Sequence, residues 1–141
     1  MNNIPRVGLF PISYEIGGAL PGAPLFTMHL GVFTPGETVS GMGHVTQAIS
    51  PPLDVGTALH GTFTYMTVMP KNTHILVTMT GYPITGVTTG REHGPNVKLR
   101  MVLNDDWEAG TANYKYLDHA GEWREVKDAA VKATHGETAA L

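Results

Sequence analysis

The sequence predicts an all-β protein, and three observations carry that reading. Apolar residues recur at alternate positions, as in Val97–Leu103, where Val97, Leu99, Met101 and Leu103 share one side. Glycine and proline, 17 and 10 of 141 residues, cluster between such runs as turn formers. Only 15% of residues are charged, against a usual share of about a quarter, and threonine is abundant. About eight short, turn-bounded strands argue for a β-sandwich or barrel. An antiparallel β-sandwich is the expected architecture.

In chain order, a first strand lies within Arg6 to Ile16, where Pro11 demotes the segment to an edge or a bulge. The loop Gly17 to Pro24 precedes a second strand over Leu25–Phe33, apolar on Phe26, Met28, Leu30 and Val32. Thr34-Pro-Gly-Glu-Thr38 has the Pro-Gly chemistry of a type II turn. The third strand, Val39 to Ile49, contains Gly41 and Gly43, which mark a bulge or a close backbone approach.

After the loop Ser50 to Gly56 comes the stretch around which the chain is organised. Thr57–Met69 and Thr73–Tyr82 are rich in β-branched and aromatic residues and flank Pro70-Lys71-Asn72. This reads as a long hairpin closed by a three-residue loop. That loop pairs Thr67 with Ile75, Tyr65 with Val77 and Phe63 with Met79, so Phe63, Tyr65, Ile75, Val77 and Met79 form a core face. The opposite face carries Thr62, Thr64, Met66, Leu76, Thr78 and Thr80, with neither Lys nor Glu among them. Such a face is either covered by a second layer of the protein or meets a partner.

Ile84–Thr89 reads as a short strand, Gly90–Asn96 as a polar loop, and Val97–Leu103 as a strand with Lys98 and Arg100 outward. Asn104-Asp-Asp106 turns the chain into an irregular strand over Trp107–Leu117, where Lys115 separates Tyr114 from Tyr116. Asp118–Gly121 is a further turn, and Glu122–Lys127 the final strand. From Asp128 the composition becomes Ala-rich, so a single domain is expected over residues 1–127, with 128–141 a short helix or a disordered tail.

Composition excludes several functions. A formal charge of −3 without a basic run argues against nucleic acid, which needs a Lys/Arg footprint. The absence of cysteine removes disulfides, thiolate metal sites and Cys nucleophiles. The amino terminus lacks the charged and apolar regions of a signal peptide, so synthesis as a soluble cytoplasmic protein is expected. His29, His44, His60, His74, His93, His119 and His135 are dispersed and form no metal-binding motif. No Gly-x-Ser-x-Gly elbow exists, and Ser13, Ser40 and Ser50 lack an adjacent base in sequence. No cofactor, no metal and no catalysis are expected; a binding module is.

Val7-Gly-Leu-Phe-Pro-Ile-Ser-Tyr14, Leu25–Phe33, Val39-Ser-Gly-Met-Gly-His-Val-Thr46 and the long hairpin together resemble a bacterial family of small uncharacterised β proteins. That family includes the larger component of two-component insecticidal proteins, whose partner is a still smaller polypeptide. This component is similar in fold to aegerolysins, β-sandwich proteins that recognise membrane lipids and form pores with a partner. The resemblance spans most of the chain but lies in overall sequence character, so it carries over no functional residue. Aegerolysin partners are large, and a small companion departs from that pattern. The resemblance implies a membrane-docking toxin component that is released to act on target membranes. Its partners would be a small companion protein and a membrane lipid or receptor, with self-association on the membrane open.

Trp107, Tyr114, Tyr116 and Trp123 are the docking candidates, because amphipathic aromatics suit a headgroup layer. Thr62, Thr64, Met66, Leu76, Thr78 and Thr80 are the candidates for partner contact or self-assembly. The alternative is a lectin-like module, in which the same aromatics stack on sugar faces.

Overall fold

The computed structural model describes residues 8–68, 72–84 and 94–134. Within them lie β1 (Leu9–Gly17), β2 (Leu25–Phe33), β3 (Thr38–Gln47), β4 (Leu53–Val68), β5 (Asn72–Pro83), β6 (Val97–Asn104), β7 (Ala109–Leu117) and β8 (Trp123–Ala133). Each strand pairs antiparallel with the next, and β8 returns to β1, so the chain forms one closed barrel. The all-β expectation holds, but a barrel takes the place of the two-sheet sandwich. Inward and outward residues alternate identically in both architectures, so the sequence pattern does not separate them.

The barrel is filled by its own side chains. Phe26, Met28, Leu30 and Val32 enter from β2, and Val97, Leu99, Met101 and Leu103 from β6. Tyr114 meets Phe26 edge-on, with ring centroids 5.0 Å apart. One end is closed by Trp107, whose ring packs edge-on against Phe10 at 5.4 Å and Phe63 at 5.1 Å. At the other end the buried Thr57 hydroxyl donates to Asn96 Oδ1 at 2.8 Å, and Asn96 Nδ2 donates to the Gly56 carbonyl at 3.1 Å. These buried polar groups satisfy one another, which is what makes their burial tolerable.

Close backbone approach accounts for Gly41 and Gly61. A Cβ at Gly41 would collide with the His29 carbonyl, and one at Gly61 with the Thr78 carbonyl. The β3 register runs through Gly41 and Gly43 without a shift, so of the two expectations for these glycines the close approach is the one observed. The bulge lies instead between β7 and β8, where the register shifts between Ala112 and Tyr114. Pro11 sits where β1 pairs with β2 alone, since β8 reaches only Tyr14–Ile16. The expected edge character of Pro11 is therefore present inside a barrel.

Three other expectations are corrected. The hairpin pairs Phe63 with Val77, Tyr65 with Ile75 and Thr67 with Thr73, two residues from the expected register. Asn72, expected in the loop, is thus the first residue of β5, and residues 69–71 lie outside the described residues. The same residues face inward, because a shift of two preserves alternation. Phe63, Ile75, Val77 and Met79 are buried as expected, but Tyr65 is 50% exposed. It lies beyond Thr62, the last β4 residue that β3 reaches, so the barrel wall ends beneath it. Finally, Asp128–Ala133 is not tail but the closing half of β8, with Val131 buried. The strand expected at Ile84–Thr89 falls almost wholly outside the described residues, as do His93, His135 and the end of the Ala-rich segment.

Candidate functional site

With the interior filled, chemistry is carried on the outside of the barrel. The registers of β3 to β8 align outward side chains into rows that cross the strands. One row runs Thr38, Thr62, Thr78, Arg100, Asn113. The next runs Ser40, His60, Thr80, Lys98, Lys115, Glu125. In these rows the positions on β3–β5 are mostly hydroxyl-bearing and carry no carboxylate, lysine or arginine, and His60 stacks on Tyr82 with rings 2° from parallel. Their positions on β6–β8 bear the charges Lys98, Arg100, Lys115 and Glu125.

A groove of about 420 Å³ sits where the two sets of positions meet, bounded by Thr78, Thr80, Lys98, Arg100, Asn113, Lys115 and Glu125. Three of these side chains are cationic and one is anionic, in a chain whose net charge is −3. Lys98 Nζ lies 5.5 Å from the centroid of the Trp123 ring, a cation–π contact at the rim. Asn113 Oδ1 accepts the Asp128 backbone N–H at 2.8 Å, so the β7–β8 bulge fixes the orientation of the amide. The groove is rich in donors and concave, which suits an anionic ligand or surface.

The four aromatic candidates separate. Trp107, Tyr114 and Tyr116 are 2%, 1% and 4% exposed and belong to the interior, so they present no docking surface. Trp107 occupies the β6–β7 turn at φ 67°, which swings its ring over the barrel mouth. Only Trp123, 43% exposed, is available, and it borders the groove. The six hairpin candidates do share one outward face, with Thr62 opposite Thr78 and Thr64 opposite Leu76. Thr62, Thr64 and Thr78 are exposed, while Met66, Leu76 and Thr80 are half-buried. Thr78 and Thr80 also form one wall of the groove. Lys115, Asn113 and Glu125 were not singled out by sequence reasoning, and only the strand registers bring them together with Lys98 and Arg100.

Other polar constellations are already engaged. Ser13 Oγ lies 2.7 Å from His29 Nδ1 across β1 and β2, a pairing that linear sequence does not reveal. No acid is hydrogen-bonded to the other nitrogen of that imidazole among the described residues, so the pair lacks the orienting third group of a hydrolytic triad. Arg124 Nε donates to Asp118 Oδ2 at 2.6 Å. The backbone N–H of Glu122 and that guanidinium hold the Asp118 carboxyl below the usual carboxylate range. Among the described residues no cluster of His, Asp or Glu has the makings of a metal site.

A family model described as a domain of unknown function, DUF1842, matches residues 7–123. The chain belongs to the DUF1842 family. The match ends at Trp123, and so covers β1 to β7, including the whole of β6 and β7 in the groove. No curated protein matches the sequence.

Proposed function

We propose that this DUF1842 protein is the membrane-docking component of a two-component pore-forming toxin, and that it docks through the groove on β5–β8. The toxin class, its aegerolysin-like character and the small companion rest on the sequence resemblance. The docking surface rests on one observation: Lys98, Arg100 and Lys115 converge on a solvent-facing groove with Trp123 at its rim. Clustered cations are attracted to an anionic leaflet by about 1 kcal/mol each, and an indole suits the headgroup layer. Docking rather than spanning fits the polarity of the barrel, whose interior is filled by apolar residues while the wall over β5–β8 carries threonine, lysine and arginine, unlike the polar interior and apolar outer band of a lipid-embedded barrel. Among the described residues no helix is long and apolar enough to cross a membrane.

The experiment is vesicle sedimentation. Binding to phosphatidylserine-containing vesicles but not to pure phosphatidylcholine, weakened by raised salt and lost in Lys98→Glu, is the expected result. Equal binding to both, or binding indifferent to Lys98→Glu, would refute this surface. Dye release by this chain with its companion, and by neither alone, tests the two-component mechanism; full release by this chain alone refutes it. A carbohydrate-binding reading is favoured by the exposed Trp123 ring beside polar side chains. It predicts retention on a glycan array and release by free sugar without any lipid.

A further inference from the structure

We infer that the groove is a seat for a phosphomonoester, a singly esterified phosphate presented by a membrane headgroup; this inference rests on the proposed docking role. The register sets Lys98 directly opposite Lys115 on the neighbouring strand. Like charges in that position destabilise a bare sheet, and a bound anion turns the opposition into a clamp. Each lysine has a partial partner: Lys115 faces Glu125, and Lys98 leans over Trp123.

Arg100 has none. Its neighbours across the strands are Thr78 and Asn113, both uncharged, and among the described residues it forms no ion pair. Its guanidinium lines the groove with a planar fork of N–H donors, the geometry that matches two oxygens of a phosphate. The flanking groups are donors as well. Asn113 has its Oδ1 committed to the Asp128 backbone N–H, which leaves the two Nδ2 protons as the free end of the amide. The Thr78 hydroxyl stands on the other side.

The charge balance selects the ligand class. Lys98, Arg100 and Lys115 against Glu125 leave a surplus of two positive charges. A phosphomonoester carries a charge of about −1.5 to −2 near neutral pH. A phosphodiester, a sulfate ester or a carboxylate supplies a single negative charge and leaves the groove under-compensated.

Calorimetric titration of the whole chain with methyl phosphate, dimethyl phosphate and methyl sulfate at matched ionic strength tests the seat. Methyl phosphate should bind about tenfold tighter than either monoanion. Arg100→Gln should abolish that preference and Glu125→Gln should strengthen binding of all three, with unchanged circular dichroism showing that both variants fold. On vesicles, phosphatidic acid should outcompete phosphatidylglycerol at equal surface charge. Equal affinity for the three anions, or an Arg100→Gln variant that keeps the preference, overturns the seat even if anionic vesicles bind. A methyl phosphate preference without sedimentation on any vesicle upholds the seat, assigns it to a soluble phosphate ester and overturns the docking role instead.

Discussion

Two tyrosines of equal burial should respond in opposite ways to loss of their hydroxyls. Tyr14 and Tyr114 are each 1% exposed inside the barrel. Tyr14 Oη donates to the Trp107 carbonyl at 2.8 Å, which ties β1 to the β6–β7 turn. Trp107 sits at φ 67°, a left-handed conformation that a bulky residue adopts only when its surroundings enforce it. Tyr14→Phe removes that bond and strands a carbonyl, a combined cost of about 1–3 kcal/mol. Tyr114 Oη has no hydrogen-bond partner among the described residues, although its ring packs on Phe26 and Tyr116. Tyr114→Phe keeps the ring and deletes an uncompensated buried hydroxyl, so it should be neutral or stabilise by up to about 2 kcal/mol. Urea unfolding followed by tryptophan fluorescence measures both, with an unchanged m value showing that two-state behaviour persists. A Tyr114→Phe variant destabilised by more than about 1 kcal/mol would show that its hydroxyl is bonded. A Tyr14→Phe variant within about 0.5 kcal/mol of the parent would show that the turn does not depend on the bond to Trp107.

Phe63→Ala should cost about 3–5 kcal/mol, because the ring is buried between Trp107 and the base of the projecting hairpin; a loss below about 1 kcal/mol would place the ring outside the core. Gly61→Ala should destabilise by about 1–3 kcal/mol, since the added methyl meets the Thr78 backbone. Gly31→Ala, whose nearest such neighbour is a Leu9 methyl at 3.7 Å, should stay within about 0.5 kcal/mol in the same unfolding assay. Alkaline pH should weaken the fold. Burial raises the phenol pKa of Tyr14, with Glu108 and Asp106 adding to it, and also that of Tyr114, with Tyr116 adding. Below about pH 10 both states keep these protons and the contribution is complete. Above it the unfolded chain releases protons that the folded chain retains, and stability falls by up to about 1.4 kcal/mol per pH unit for each tyrosine. Urea midpoints unchanged between pH 9 and 11.5 would contradict the burial of both phenols.

Local alternation made part of the fold legible in the sequence. Phe26 to Val32 and Val97 to Leu103 alternate in the sequence and in the barrel alike. Features that depend on distant strands were not legible. Trp107 is flanked by Asp106 and Glu108, a polar context that looks like a surface turn, and only its positive φ brings the ring over the core. β8 lost its signature because the bulge at Asp128, φ 55°, inserts a residue and inverts the inward phase. Val126 faces the core before the bulge, and Ala129, Val131 and Ala133 face it after, so no single period describes the strand. Small alanines at inward positions then imitate a helical or unstructured tail. The groove was half legible: alternation placed Lys98 and Arg100 outward, but adding Lys115, Asn113 and Glu125 requires registers that no local pattern encodes.

The closed barrel also constrains where function can reside. An eight-stranded barrel either fills its interior with side chains or holds a small ligand there. Here Phe26, Met28, Met79, Met101 and Tyr114 occupy the middle, Trp107 closes one mouth, and Thr57 with Asn96 holds the other. Among the described residues the outer wall is therefore the surface left open to a ligand, and the weakest part of the closure there has informative chemistry. β8 contacts β1 over only Tyr14–Ile16, so most of its length is an exposed sheet edge. Arg124, Glu125 and Lys127 supply the charges by which open edges avoid pairing with other strands. Glu125 faces into the groove from this edge, and Trp123 stands at its rim. A charge that keeps β8 from pairing with a stray strand therefore also forms one wall of the groove proposed for docking. A charge-removing change in Lys127, which does not line the groove, separates the two roles: Lys127→Thr should promote concentration-dependent association in light scattering while leaving vesicle binding unchanged. Loss of vesicle binding in the monomeric Lys127→Thr protein would mean that the docking surface extends along the edge beyond the groove.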